Sequence, residues 1–228
     1  MLGQIVYSTQ GHGRLYLEEA TVHGLPMLRA AIDPGSCWAK HRLKKAGKLL
    51  GRAGVRRVLV PQGFAEWEVL EKFSLRRVDP MPFFKAHAAP LAVAELRRQG
   101  REPGQCAVAL RAIRTDREVV QAAQELCAQV RDVCISVPKG GAQLSDRLRW
   151  EYGVAVRPDY GCVPAAVRFD SRTWDQGAAV VDLFPPGPDL QSIQVRLKGL
   201  NETENEHFPL LAALWEGGKV KKDDLEFT

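Results

Sequence analysis

One pattern, written twice, limits what this chain can fold into. "VPQGFAEWEVLEKFSL" (60–75) and "VPKGGAQLSDRLRWEYGV" (137–154) each open on valine, proline, a polar residue and glycine. Each then runs through an amphipathic stretch and an aromatic, Phe73 or Tyr152, into a short apolar segment. The match extends upstream. "MLRAAI" (27–32), a helix-like stretch 36–53 and "RRVLV" (56–60) precede the first copy; "CAVALRA" (106–112), 115–130 and "DVCISV" (132–137) precede the second. Each half reads strand, helix, strand, helix, strand, with final strands near 75–78 and 154–157. The apolar runs are short and rich in Val, Ile and Leu, as in strands covered on both faces.

Spacing predicts the helices. Ala39, Leu43, Ala46, Leu50 and Ala53 alternate four and three apart and form one apolar stripe, and Val119, Ala123, Leu126 and Val130 do the same. "TDRE" (115–118) has the form of a capping box, in which Thr115 accepts from the third helical amide and Glu118 reaches back to Thr115. Leu144, Leu148 and Tyr152 line one face of the next helix, and Gly153 suits the left-handed residue that ends it.

Strands alternating with helices are the signature of a parallel sheet. The expected fold class is α/β: a Rossmann-like, doubly wound, mostly parallel sheet built from two similar βαβαβ halves, with antiparallel strands added from both termini. The expected organisation is an N-terminal β-hairpin over 1–26 and an α/β domain over 27–158, with halves 27–80 and 106–158 joined by a crossover over 81–105. Antiparallel strands and a C-terminal helix over 159–228 would pack on the same sheet. Pro90 would open the crossover helix, because an interior proline breaks one. The strands at 27–32 and 106–112 would be central neighbours. The alternative is two small α/β lobes divided near "QGREPGQ" (99–105).

If those strands adjoin, a ligand crevice lies between "DPGSC" (33–37) and "RAIRTD" (111–116), outside the carboxyl ends of the strands at the point where strand order reverses. The first turn offers Asp33, Gly35 and Ser36; the second offers Arg111, Arg114 and Thr115. Two arginines beside two helix starts favour an anion such as a phosphate or carboxylate. A secondary candidate is Lys139 with the amides of Gly140 and Gly141, although the matched turn carries Gln62 in place of lysine, which points to shared backbone geometry. No GxGxxG follows either leading strand and no GxxxxGK[ST] occurs, so NAD or FAD in the usual mode is not expected, and the cofactor is left open.

Charge raises a rival. The net charge is +5, and the eight Lys and Arg residues between Pro34 and Ala65, with no Asp or Glu among them, account for all of the excess. Lys40, Lys44, Lys45, Lys48 and Arg52 lie off the apolar stripe of the 36–53 helix, a face able to track a nucleic acid or an acidic partner. Aromatics for base stacking are scarce there, so nucleic acid is not favoured. Cys37 and His41, four apart near a helix start, would suit a thiol nucleophile and its base. The remaining histidines show no metal spacing, and five cysteines without CxxC indicate a reduced, metal-free chain. With no secretory leader and no run of about 18 apolar residues, a cytoplasmic protein without a membrane span is expected.

Overall fold

A computed structural model describes residues 1–8, 15–35, 37–158, 163–173 and 179–228. The strands are β1 (Leu2–Tyr7), β2 (Tyr16–Val22), β3 (Leu25–Ile32), β4 (Arg57–Leu59), β5 (Arg76–Arg77), β6 (Ala107–Arg111), β7 (Asp132–Ser136), β8 (Ala155–Arg157), β9 (Ala165–Arg168), β10 (Ala179–Asp182), β11 (Val195–Leu197) and β12 (Leu225–Phe227). The helices are α1 (Ala39–Arg52), α2 (Trp67–Glu71), α3 (Met81–Ala86), α4 (Ala88–Arg98), α5 (Arg117–Cys127), α6 (Gly141–Tyr152), α7 (Glu202–Asn205) and α8 (Phe208–Glu216). The α/β class holds, with parallel pairing dominant. The strands, however, divide into two five-stranded sheets and a two-stranded one within two compact units, Met1–Asp79 with Thr203–Lys221, and Pro80–Glu202 with Lys222–Thr228.

In the first unit the sheet order is β2-β3-β1-β4-β5, parallel except for β2. The hairpin expected within 1–26 is not formed by β1 and β2. Instead β2 turns back onto β3 through His23 (φ 47°) and Gly24 (φ 77°), with Val22 opposite Leu25. Two successive positive-φ residues match the right-handed twist of the strands they join. β1 then inserts between β3 and β4, pairing with both. Gly3 permits this insertion: a Cβ there would stand 2.9 Å from the Val55 side chain. Ile5, Ala30, Ile32, Leu43, Leu50 and Val58 form the core beneath α1. Gly47 lets α1 close on Phe73, where a Cβ would meet the ring at 2.8 Å. His207 fastens α8, its Nε2–H donating to the Val60 carbonyl (2.8 Å) while Nδ1 accepts from the Leu210 amide (3.1 Å).

In the second unit every pairing of the main sheet is parallel, in the order β8-β7-β6-β9-β10. Numbered from β6, that is the 3-2-1-4-5 order of a Rossmann-type sheet. β9 and β10, expected as antiparallel additions, extend it in parallel; the antiparallel pairing in this unit is β11 with β12. β6, β7 and β9 are buried almost throughout, as strands covered on both faces must be. Across β9 and β10, Arg168 makes two bonds to the Asp182 carboxylate (2.6 and 2.5 Å) and lies 5.1 Å from the Phe184 ring centroid. In α4 the buried Glu95 accepts from Arg98 twice and from Gln99, each at 2.8 Å, and Gln99 donates to the Pro164 carbonyl (3.1 Å). Pro90 falls in the first turn of α4, and Gly153 ends α6 with φ 65°, whereas Tyr152 is largely exposed.

The repeat survives as local geometry. β3-α1-β4-α2-β5 and β6-α5-β7-α6-β8 follow the same order, and Gly63 (φ 72°) and Gly140 (φ 87°) are both left-handed. The sheets differ because β1 separates β3 from β4, while β6 and β7 are direct neighbours.

Candidate functional site

β3 is bonded to β1 and β2, and β6 to β7 and β9, so the segments beginning at Met27 and Cys106 are not neighbours. The turns at 33–37 and 111–116 follow strands of different sheets and do not flank one point of strand reversal. Their residues fare differently. The Asp33 carboxylate accepts from the Gly35 amide (3.0 Å), a local turn, and Ser36 lies outside the described residues. Arg111 ends β6 fully buried, whereas Arg114 is among the described residues that line a cleft. The expected capping box does not form: the residue preceding α5 is Asp116, whose side chain makes no capping bond, and Thr115 packs against Gly140, where a Cβ would stand 2.3 Å from Thr115 Oγ1.

Each sheet has its own point of reversal. In the second unit, β6 connects through α5 to β7 on one side, and β9 continues to β10 on the other. Outside the carboxyl ends of β6 and β9 lies a cleft of about 500 Å³. Arg114 and Lys139 come to it from the turns after β6 and β7, Phe169, Asp170 and Arg172 from the turn after β9, and Lys85 from α3. Two backbone bonds clip the first two turns together, Thr115 N–H to the Lys139 carbonyl (3.0 Å) and Lys139 N–H to the Ile113 carbonyl (3.2 Å). Gly140 makes the clip possible, since a side chain there would push Thr115 away.

The charges are unequally matched. Arg114 pairs with Asp116 (2.8 Å), which takes that carboxylate away from the amides at the start of α5. Arg172 makes two bonds to the Asp170 carboxylate (3.0 Å each), and its amide adds a third (2.9 Å). These bonds hold the Asp170 carboxyl down to about 2, with the charge of Lys85 contributing a smaller part, so Asp170 is ionised near neutral pH. Lys85 and Lys139 make no ion pair with another described residue. The first amides of the eleven-residue α5 open beside them. No histidine, cysteine or serine is among the described residues lining the cleft. The arrangement can hold negative charge.

Sequence reasoning missed Lys85, Asp170 and Arg172. "FDSR" (169–172) closes a strand that reads as an antiparallel edge, and only its parallel placement beside β6 brings its carboxyl end to the cleft. Gly141 is structural: a Cβ there would stand 3.1 Å from Val137. Lys40, Lys44, Lys45, Lys48 and Arg52 are all exposed along α1. Cys37 is exposed and precedes the cap of α1, outside the helix, while the His41 ring lies 6.1 Å from Trp38, edge to face. Cys37 and His41 share no hydrogen bond. Among the described residues no group of three metal-binding side chains is gathered, and no helix is long and apolar enough to cross a membrane.

The first unit has a smaller cleft, about 430 Å³, at the ends of β1 and β4, where its own strand order reverses. Its walls are more apolar, with Ile5, Val6, Leu59 and Leu210, and Arg29 is held by Gln4 (2.8 Å) and Glu18 (3.5 Å).

Both units thus belong to the class of parallel α/β proteins, the second with Rossmann-type strand order. No known family model matches the chain, and no curated protein is detectably related to it. Among solved structures it resembles the catalytic subunit of aspartate transcarbamoylase from M. jannaschii (10% identity, TM-score 0.36, covering 96% of this chain and 85% of that one). It also resembles shikimate 5-dehydrogenase from Listeria monocytogenes (10%, 0.35, 96% and 89%) and L-tryptophan dehydrogenase from Nostoc punctiforme (13%, 0.34, 70% and 52%). The chain spans about half the length of the tryptophan dehydrogenase it matches.

Proposed function

We propose that the chain binds a small anionic metabolite or nucleotide, carrying phosphate or carboxylate, in the cleft at the ends of β6 and β9. The observation that carries this reading is Lys139, a cation without a carboxylate partner among the described residues, at the reversal point of a parallel sheet beside Arg114 and the start of α5. Lys85 adds a second such cation from α3. The turn after β6 contains no glycine, which argues against a pyrophosphate seated directly on that backbone and in favour of a single anionic group met by side chains. The ligand chemistry is that of a terminal phosphate or carboxylate, with Lys139 and Arg114 as the principal contacts.

Native mass spectrometry of the protein as purified, followed by titration with the retained small molecule, tests the reading. Replacing Arg114 and Lys139 together by alanine should weaken binding by tenfold or more, about 1.4 kcal/mol, while leaving the thermal transition in place. Equal affinity in the double variant refutes the assignment.

A further inference from the structure

A second concentration of positive charge lies in the first unit, apart from the face of α1 that the sequence emphasises. Arg57 on β4 is in register with Arg76 on β5, Val58 with Arg77, and the Arg76 amide donates to the Arg56 carbonyl (2.8 Å). The four arginines are exposed and surround a concavity of about 940 Å³, with Glu71 and Ser74 completing its polar lining. Arg57 pairs with Glu216 and Arg77 lies over the Trp67 ring at 5.1 Å, but Arg56 and Arg76 engage no other described side chain. Four guanidinium groups against the carboxylates of Glu71 and Glu216 leave two positive charges at the site.

Ordinary structural reasons cover only part of this cluster. Basic residues at helix carboxyl ends offset the helix dipole, which accounts for Arg52 at the end of α1 and Lys72 after α2. Charges on an edge strand discourage pairing with other chains, which accounts for Arg76 and Arg77. Neither reason covers Arg57, on the interior strand β4, or Arg56, immediately before it. Glu216 matches Arg57, whereas Arg56 and Arg76, joined through their backbones, have no carboxylate partner among the described residues. Gly51 approaches Phe73 so closely that a Cβ would stand 3.0 Å from its carbonyl, which draws the Arg52 and Lys72 ends of the two helices together beside the cluster.

We propose that Arg56, Arg57, Arg76 and Arg77 form a binding site for an oligophosphate, a short run of linked phosphates such as tripolyphosphate or the tail of a nucleoside triphosphate. A single carboxylate or phosphate would meet only part of the cluster, whereas several linked phosphates can reach guanidinium groups spread around the concavity. Planar guanidinium forks suit phosphate oxygens two at a time. This site is separate from the one proposed for the second unit and stands without it.

Calorimetric titration of the full chain with tripolyphosphate at low salt, repeated with ATP and with a short oligothymidylate, tests the proposal. Tripolyphosphate and ATP should bind with affinity that falls as salt rises. Replacing Arg56 and Arg76 together by alanine should weaken both by tenfold or more, and the Arg56→Lys, Arg76→Lys variant should recover part of the loss. The Lys44, Lys45, Lys48 triple alanine variant should bind tripolyphosphate as the parent does. Undiminished binding in the Arg56, Arg76 double alanine variant overturns the proposal. So does binding of oligothymidylate without binding of tripolyphosphate, which would assign the surface to a nucleic-acid backbone.

Discussion

Gly140→Ala measures how tightly the turns around the cleft are coupled. Two separable costs follow from the structure. The residue has φ 87°, and placing an L side chain in the left-handed region costs about 1–2 kcal/mol. The new Cβ would also stand 2.3 Å from Thr115 Oγ1 and 3.3 Å from its Cγ2, so Thr115 must change rotamer or its turn must shift. Overpacking of that kind costs a further ~1–3 kcal/mol. The matched glycine of the repeat is the control. Gly63 has φ 72° with nothing within 4 Å of its Cβ position, so Gly63→Ala carries the conformational cost alone. Thr115→Ala removes both colliding γ atoms and leaves Cβ at 3.4 Å, an ordinary contact. Thr115→Ala with Gly140→Ala should therefore return to the cost seen at Gly63, a coupling of about 1–3 kcal/mol in a double-mutant cycle. Urea unfolding of the four proteins supplies the cycle, and each kcal/mol appears as about 2–4 °C in Tm for a chain of this size. Effects at 115 and 140 that add to within ~0.5 kcal/mol would show that the two turns are not in contact.

Other expectations follow from buried groups of the second unit. His87 is buried between the Phe83 and Phe227 rings, its Nδ1–H donating to the Phe83 carbonyl (2.7 Å), and burial lowers its pKa, with Lys222 adding to the effect. The unfolded chain then binds a proton that the fold refuses, so stability should fall as pH drops below about 6.5, by at most about 1.4 kcal/mol per pH unit. His87→Phe should flatten that slope in pH-dependent urea unfolding, and an identical slope would remove His87 as its source. Asp182→Ala leaves the buried Arg168 guanidinium without its two bonds and should cost about 3–5 kcal/mol, read as a loss of Tm. Native alkylation at pH 8 should label the exposed Cys37 and spare Cys127, whose thiol burial pushes up to about 11; early labelling of Cys127 would contradict its placement.

Local pattern in the sequence revealed the elements better than their partners. The 27–32, 106–112 and 132–137 strands and the α1 and α5 stripes follow from apolar spacing, and the glycines of the paired turns from the need for positive φ. What escaped was pairing at long range. Nothing in "LGQIVY" signals that it will part β3 from β4, since its alternating burial sets which face is covered and not which strands lie beside it. The β2–β3 hairpin was missed because its turn, His23-Gly24, lies at the end of the 1–26 segment and its second strand was assigned to the α/β domain beginning at 27. The cleft followed the same rule: Arg114 and Lys139 were legible as strand-end residues, while Lys85 and Arg172 depend on where α3 and β9 come to lie. Arg111 misled because it closes an apolar run, where an exposed charge is the ordinary reading, yet it is fully buried.

The most direct test of anion binding at the second unit is an amide chemical-shift titration of the whole chain with inorganic phosphate. Saturable shifts should centre on the backbone of 114–119, on Lys139 and on Arg172, and should vanish in the Arg114, Lys139 double alanine variant. Saturation elsewhere with those amides unmoved would contradict it.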